Sequence, residues 1–455
     1  MSFPRYPEYK HSGVEWLGEV PAHWDLRKLK HIASFVGGGT PSRENLAYWN
    51  GDIPWVSPKD MKAERISGAE EAITEDGLAN STAALIPPQR VLMVVRSGIL
   101  KHTIPVAIND VPVTLNQDMK ALNFPVRYCS PGYFLRWVQG LNDHLLRAWA
   151  KQGATVESIE HEYLGNSIIA LPPTAEQAVI AAFLDRETAK IDGLVAEQQR
   201  LIELLKEKRQ AVISHAVTKG LSPHVVMRAS DIEWLPEVPA HWRTVQVKHL
   251  ARSGEKTFTD GDWIEAPYIT DEGVRLIQTG NVGVGVYKEQ GFRFVSVSTF
   301  EELGCTEVAP RDVLICRLDG PVGRACLAPD LGGRMITSVD NTILKVADEV
   351  APEFVVALFS SVPWIAWLDA LCRVGGGFRL RVSRSQLGEL RVPLPPLSEQ
   401  ISIARYLDAH AAKWAALAAE AQRAIELLQE RRAALISAAV TGQIDVRAIT
   451  DRAAA

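Results

Sequence analysis

No uninterrupted apolar run in the 455 residues approaches the roughly 18–20 that a membrane-crossing helix needs, which excludes an α-helical membrane protein. The first residues, MSFPRYPEYKHSGVEW, lack the apolar centre of a secretory leader, so the expected location is cytoplasmic. Cysteine is scarce and odd in number: Cys129, Cys305, Cys316, Cys326 and Cys372, with no Cys-x-x-Cys pair and no histidine spaced to complete a tetrahedral site. A disulfide framework and a zinc module are therefore excluded, and the five read as free, mostly buried thiols, with no metal site expected.

Excess positive charge is missing too. The net charge is -5, with 17 Lys and Arg against 18 Asp and Glu in residues 1–170, and 18 against 22 in residues 223–392. A protein that coats a polyanion by bulk charge is excluded, while a selective reader with locally clustered basic groups stays open. Catalytic signatures are also absent. There is no Gly-x-x-x-x-Gly-Lys-Ser/Thr phosphate loop, no Asn/Asp-Pro-Pro-aromatic motif for amino methylation and no nucleophile elbow. The Gly-Val-Gly-Val-Tyr run at 283–287 lacks dinucleotide-loop spacing and reads as a turn beside a strand. The chain is expected to be no enzyme by itself, with catalytic residues none.

What is present is an ordinary globular composition, 47% hydrophobic and 23% charged, long enough for two to four domains. It is also a tandem duplication. EWLGEVPAHW at 15–24 returns as EWLPEVPAHW at 233–242, and the segment 171–218 returns at 394–441 with 28 of 48 positions identical. The expected parts are a first recognition block (1–170), a first spacer helix (171–222), a second block (223–392), a second helix (393–445) and a tail (446–455).

Each spacer begins with Leu-Pro-Pro and runs about 45 residues without proline, which predicts one long helix per copy. Thr174 with Gln177 suits a capping box; Leu397 stands at the matching place in the second copy, so Ser398 is expected to cap there, one residue later. Steps of three and four residues trace a narrow seam through Leu184, Glu187, Ile191, Leu194, Gln198, Leu201, Leu205, Lys208 and Val212. Its second copy runs through Leu407, His410, Trp414, Leu417, Ala421, Ala424, Leu428, Arg431 and Leu435. So narrow a seam predicts that the helices pair with each other as an antiparallel coiled coil, holding the blocks at opposite ends of a dumbbell. A 45-residue helix is roughly 68 Å long, enough to hold two blocks about one DNA turn apart. A helical hairpin that merely oligomerises is the plain alternative.

The blocks read as mixed α/β (α+β), with short strands such as 91–95, 313–317 and 342–346 between Gly, Pro and Asn turns. Helices kept alike beside blocks allowed to diverge suggest two sites that read two different things.

The sequence resembles the specificity subunits of type I restriction-modification enzymes over nearly its whole length. The resemblance rests on YKHSGVEWLGEVPAHW (9–24) and its second copy, GGGTPSRENLAYWNGDIPWVSPKDM (37–61), LNQDMKAL (115–122), ITDEGVRLIQTGNVGVG (269–285) and the two LPP-x-x-EQ helices. It implies two target recognition domains that read the halves of a bipartite, asymmetric sequence in double-stranded DNA, with helices that fix the gap and dock methyltransferase subunits, two of them expected. It further implies ATP-dependent restriction subunits as partners, no cofactor on this chain, and S-adenosylmethionine, ATP and Mg used by the partner subunits. A scaffold of duplicated blocks that binds proteins and never DNA is the competing reading, favoured by the acidic net charge.

DNA contacts are sought among polar side chains in loops, where they can meet phosphates and base edges. In the first block the candidates are the glycine loop, with Gly38, Gly39, Thr40, Ser42 and Arg43; then Arg96, Lys101 and His102 after a strand end; then Lys151, Gln152 and Thr155. In the second block Lys256, Thr259, Asp260 and Trp263 are the positional counterpart of the glycine loop, although TFTDGDW departs from GGGTPSR. Gln278, Asn281, Arg317 and Arg324 are candidates for base edges. The run from Arg373 through Arg379 and Arg381 to Arg384, four arginines without an acid in twelve residues, is the best phosphate candidate. Each has a plain alternative as a turn or solvated loop. Trp16, Trp24, Trp234 and Trp242 recur in both copies and read as packing residues.

Overall fold

The computed structural model describes residues 3–151, 153, 155–374 and 380–447. The fold is mixed α/β. It divides into two compact units, one of residues 1–198 with 423–455 and one of residues 199–422. This differs from the expected partition, because each long helix starts in one unit and ends in the other. The helices do not stand apart from the blocks, since their end turns carry large apolar side chains that complete the block cores.

In the first unit a five-stranded sheet is ordered Ser34–Gly37, Met119–Asn123, Val91–Val94, Val106–Asn109, Arg65–Ile66, antiparallel except at the last pair. Val91 to Val94 are all buried, as a strand covered on both faces requires. A separate three-stranded sheet has the order Thr114–Leu115, Trp49–Val56, Ala72–Ile73. The helix Pro131–Gly140 packs Tyr133, Phe134 and Trp137 into the core, joined by Ile180, Phe183 and Leu184 of the first long helix and by Ile436, Ala439 and Val440 of the second.

The second unit repeats the plan. Its sheet is ordered Phe258–Asp260, Asn341–Leu344, Val313–Cys316, Ala325–Leu327, all antiparallel. Ala216 and Val217 of the first long helix and Ile403 and Leu407 of the second enter its core beside Phe354, Phe359 and Trp364. Pro352–Phe359 and Val362–Val374 are apolar because they are core helices; among the described residues no single helix is long and apolar enough to cross a membrane.

The duplicated motifs meet in the same way in both units. Trp24 Nε1 donates to Glu176 Oε1 at 3.0 Å and His23 Nε2 lies 2.7 Å from Glu176 Oε2; Trp242 Nε1 donates to Glu399 Oε2 at 3.1 Å and His241 Nε2 lies 2.8 Å from it. Gln177 accepts from Ser130 N and donates to the carbonyls of Tyr128 and Pro172, and Gln400 does the same with Ala351 N, Glu349 and Pro395. The Glu-Gln pair therefore fastens each helix start to its block, satisfying buried backbone groups that would otherwise be orphaned. Trp24, Trp234 and Trp242 are buried as expected, but Trp16 is 36% exposed and stacks on His144 at 4.2 Å.

Two helix expectations need correction. The helices run Thr174–Lys219 and Leu397–Val440, so both start directly after the second proline and the start does not shift. Pro173 and Pro396 carbonyls accept the first helical bonds, which leaves Ser398 inside the first turn and Gln177 bonded outward, not in a capping box. The seam phase also differs. Leu184, Ile191, Leu407 and Trp414 are buried, and Leu205, Leu428 and Leu435 are half-buried, but Leu194, Leu201 and Leu417 are 46%, 42% and 47% exposed. Thr188, Val195 and Ile202 turn inward in the first helix and Ala418 and Ile425 in the second, because the heptad steps four residues before three.

Candidate nucleic-acid interface

The glycine loop of the first unit is fixed by backbone packing. Gly38 N donates to Met119 O and Gly39 N to Leu115 O, and a Cβ on Gly38 would stand 1.8 Å from Asn116 O. Only glycine lets the loop lie on the turn 115–119. Thr40 Oγ1 bonds Gln117 Oε1, and Arg96 Nε donates to Asp118 Oδ1 at 2.6 Å. Ser97 N donates to Glu157 O and Lys151 N to Ser158 O, which brings the 151–158 loop to the same rim.

Gly38, Gly39, Thr40, Arg96, Lys151 and Thr155 are thus gathered along one edge of the first unit, where Arg96, Lys151 and Thr155 are exposed. Lys151 has Glu160 within 3.6 Å. Lys101 and His102 project from the exposed 3₁₀ turn that follows Arg96. Gln152 lies outside the described residues. Two glycine-loop residues have structural employment. Ser42 O accepts from Trp49 Nε1, and the Arg43 guanidinium lies 3.8 Å from the Trp49 ring centroid while bonding Glu71, whose carboxyl it holds below its ordinary range. Next to the edge, Lys120 Nζ lies 3.0 Å from His161 Nδ1; burial pulls both groups below their ordinary values, which suits a neutral imidazole accepting from the ammonium.

The second unit builds the same backbone frame from different residues. Gly261 N donates to Asn341 O and Asp262 N to Thr337 O, and a Cβ on Gly261 would stand 2.3 Å from Thr337 O. Gly261 therefore takes the place of Gly38, and the turn 337–341 that of 115–119. Arg317 N donates to Asp340 O as Arg96 N does to Asp118 O. Trp263, beside this glycine, is 72% exposed. Arg381 reaches Asp340 Oδ1 at 2.9 Å, and Arg384 bonds Phe258 O beside Thr259 and Asp260, where Asp260 Oδ1 also accepts from Thr342.

Three of the four base-edge candidates, Arg317, Arg324 and Asn281, are buried and spend their donors on the protein's own backbone. Arg317, 2% exposed, donates to Val382 O and Val339 O and pairs with Asp260 at 3.3 Å; burial lowers its pKa. Arg324, 7% exposed, donates to the carbonyls of Val282, Leu318, Asp319, Pro321 and Thr279. Asn281 is buried and donates to Lys288 O and Gln290 O, and Gln278 closes a capping box with it. Arg317, Arg324 and Asn281 thereby hold the turns together; Gln278, half-buried, lines an open polar cleft of about 540 Å³ together with Asn281, Gln290, Ser338 and Asp340. Lys256 is exposed with a left-handed φ of 54° and donates to Gly304 O. Arg373 ends its helix paired to Asp369, and Arg379 lies outside the described residues. Sequence reasoning missed Gln117, Gly261 and Ser338; the buried glycine with a polar turn 75 to 80 residues on was the available signal.

The five cysteines are free, four of them buried; burial pushes the Cys326 thiol up to about 12. No group of three or more His, Cys, Asp or Glu among the described residues is arranged to hold a metal.

Residues 21–204 match the type I restriction modification DNA specificity domain. The chain is 35% identical over 201 residues to the type I restriction enzyme EcoR124I/EcoR124II specificity subunit of Escherichia coli, covering 44% of this chain and 47% of that one. It therefore spans about half the length of that relative. It is 25% identical over 407 residues to a putative type I restriction enzyme MjaX specificity subunit of Methanocaldococcus jannaschii, covering 86% and 88%. In fold it resembles a chain from a type I restriction-modification complex (TM-score 0.69, 15% identity, 92% and 98% covered) and the HsdS subunit from Thermoanaerobacter tengcongensis (TM-score 0.53, 15%, 93% and 98%). The duplicated frame and these likenesses agree: the chain is similar to type I restriction enzyme specificity subunits, through a matched DNA specificity domain in its first half and through fold over nearly its whole length.

Proposed function

We propose that this chain is a non-catalytic DNA-specificity subunit whose two units each read one half of a bipartite, asymmetric duplex target. The observation that carries this reading is the duplicated edge, in which a glycine is pressed onto a polar turn beside a strand-end arginine. Such an edge offers close backbone approach, hydroxyl and amide groups for bases, and guanidinium and ammonium groups for phosphates. In the first unit Thr40, Gln117, Arg96, Lys101, His102, Lys151 and Thr155 supply those groups; in the second Trp263, Gln290, Ser338, Arg381 and Arg384 do. The long helices pair antiparallel, set the gap between half-sites, and dock two methyltransferase subunits; restriction subunits join them. S-adenosylmethionine, ATP and Mg belong to those partners, and this chain binds none of them.

The test is single-molecule sequencing for N6-methyladenine in DNA from cells that co-express this chain with its methyltransferase subunit, against a control without it. A bipartite motif methylated only in its presence is expected. Unchanged methylation with partner co-purification confirmed would overturn the reading in favour of a protein scaffold.

A further inference from the structure

The two units differ sharply behind the helix Pro131–Gly140 and its counterpart Pro352–Phe359. Matching bonds from Gln177 and Gln400 align the two: Tyr128 with Glu349, Ser130 with Ala351, and hence Arg136 with Ala357 and Gln139 with Ser360. The long helices align Asp185 with Asp408 and Arg432 with Arg209.

In the first unit these positions form one charged network. Arg136, 5% exposed, donates to Glu64 at 2.7 and 2.8 Å and to Asp185 at 2.7 and 3.0 Å; Arg432 pairs with Glu64 and Asp192; Gln139 bonds Glu64. In the second unit the middle of the network is gone. Ala357 and Ser360 replace Arg136 and Gln139, while Arg209 and Asp408 remain and make no ion pair among the described residues. The space left is a cavity of about 750 Å³, with Ile213, Val356, Leu407 and Trp414 on its apolar wall and Arg405 as a second cation that makes no ion pair among the described residues. Ser360 Oγ, Tyr287 OH and Gln210 Oε1 line it and are buried without a hydrogen-bond partner, and Ser360 is only 4% exposed. Unsatisfied buried polar atoms of this kind signal a missing partner.

We infer that the cavity is a binding site for a small organic zwitterion, with a carboxylate for Arg209 and Arg405, a guanidino or amino cation for Asp408, and an apolar body against Trp414 and Leu407. The cavity has the volume of sites that hold ligands of this size; its lining keeps one ion pair of its own, Arg311 with Glu353, while the guanidinium that Arg136 supplies in the first unit is absent beside Asp408. The inference is independent of DNA reading, since none of these residues belongs to the recognition edge.

The test is isothermal titration of the full-length chain with the dipeptide phenylalanyl-arginine, alongside its C-terminal amide. Saturable binding near or below about 1 mM is expected, weakened about tenfold by the amide and by Arg209→Gln or Asp408→Asn. Ala357→Arg, which restores the guanidinium of the first unit, should abolish it. Asp408→Asn, at an exposed helix position, keeps the test valid if Ala357→Arg fails to fold. No saturable binding, or binding indifferent to both Asp408→Asn and the amide, would overturn the inference. So would loss of methyltransferase co-purification with Ala357→Arg where the dipeptide does not bind, because the cavity would then seat a partner side chain.

Discussion

Arg96 and Arg317 occupy the same place in two copies of one frame, just after Val91–Val94 and Val313–Cys316, each the third strand of its sheet, with the backbone N–H of each given to an aspartate carbonyl. Arg96 is half exposed and held by a single carboxylate, whereas Arg317 is buried and bonded to two backbone carbonyls. A frame can thus be inherited while the task of a side chain moves from surface to core. The same contrast holds for Arg136, which fills a cleft that Ala357 leaves open.

The largest effect that should break the symmetry is Arg324→Ala. Five buried carbonyls lose a charged donor, and the second unit should lose about 4 kcal/mol, read as a fall in its denaturant midpoint. Leu184→Ala and Leu407→Ala should each cost about 3 kcal/mol, whereas Leu194→Gln and Leu417→Gln should stay within about 0.5 kcal/mol, and equilibrium unfolding distinguishes the two phases of the seam. Arg136→Ala should cost the first unit about 2–3 kcal/mol, less than a fully buried pair because Glu64 and Asp185 are partly exposed.

Acid sharpens that comparison further. Burial works to raise the Glu64 carboxyl, but bonds from Arg136 and Gln139 and the charge of Arg432 outweigh it and hold the group below its ordinary value. A depressed carboxylate contributes stability that is fully present above its unfolded value of about 4.3 and is lost as pH falls through its lower folded value. Unfolding of the first unit should therefore steepen below about pH 4.3, and Glu64→Gln should flatten the profile there. Arg96→Ala should cost little stability, under about 1 kcal/mol for an exposed pair, with its consequence read instead as weaker DNA affinity and a shallower salt dependence in the assembled complex.

Much of this arrangement was legible beforehand because it rests on repetition and periodicity. The duplication, both long helices, the strands around 91–95, 313–317 and 342–346, and the buried Trp24 and Trp242 follow from patterns that local chemistry enforces. The seam phase did not follow, since Leu194 and Leu201 make one phase apolar and Val195 and Ile202 the other, and only packing decides between them. Arg317, Arg324 and Asn281 misled because a polar residue after a strand looks the same whether it faces solvent or ties off carbonyls. Gly261 went unnoticed because its role depends on a turn some 76 residues later, a distance over which sequence spacing carries no constraint.

The sharing of each long helix between units sets an order of biosynthesis. The first unit needs Ile436, Ala439 and Val440 to close its core, and the Asp445 N–H is bonded to Pro4 O, so it stays open until residue 445 has left the ribosome. The second unit ends at residue 422 and has all its parts earlier. The half made first is completed last, and a nascent chain stalled before residue 423 would display the apolar faces of Ile180, Phe183 and Leu184 to whatever chaperone waits at the exit.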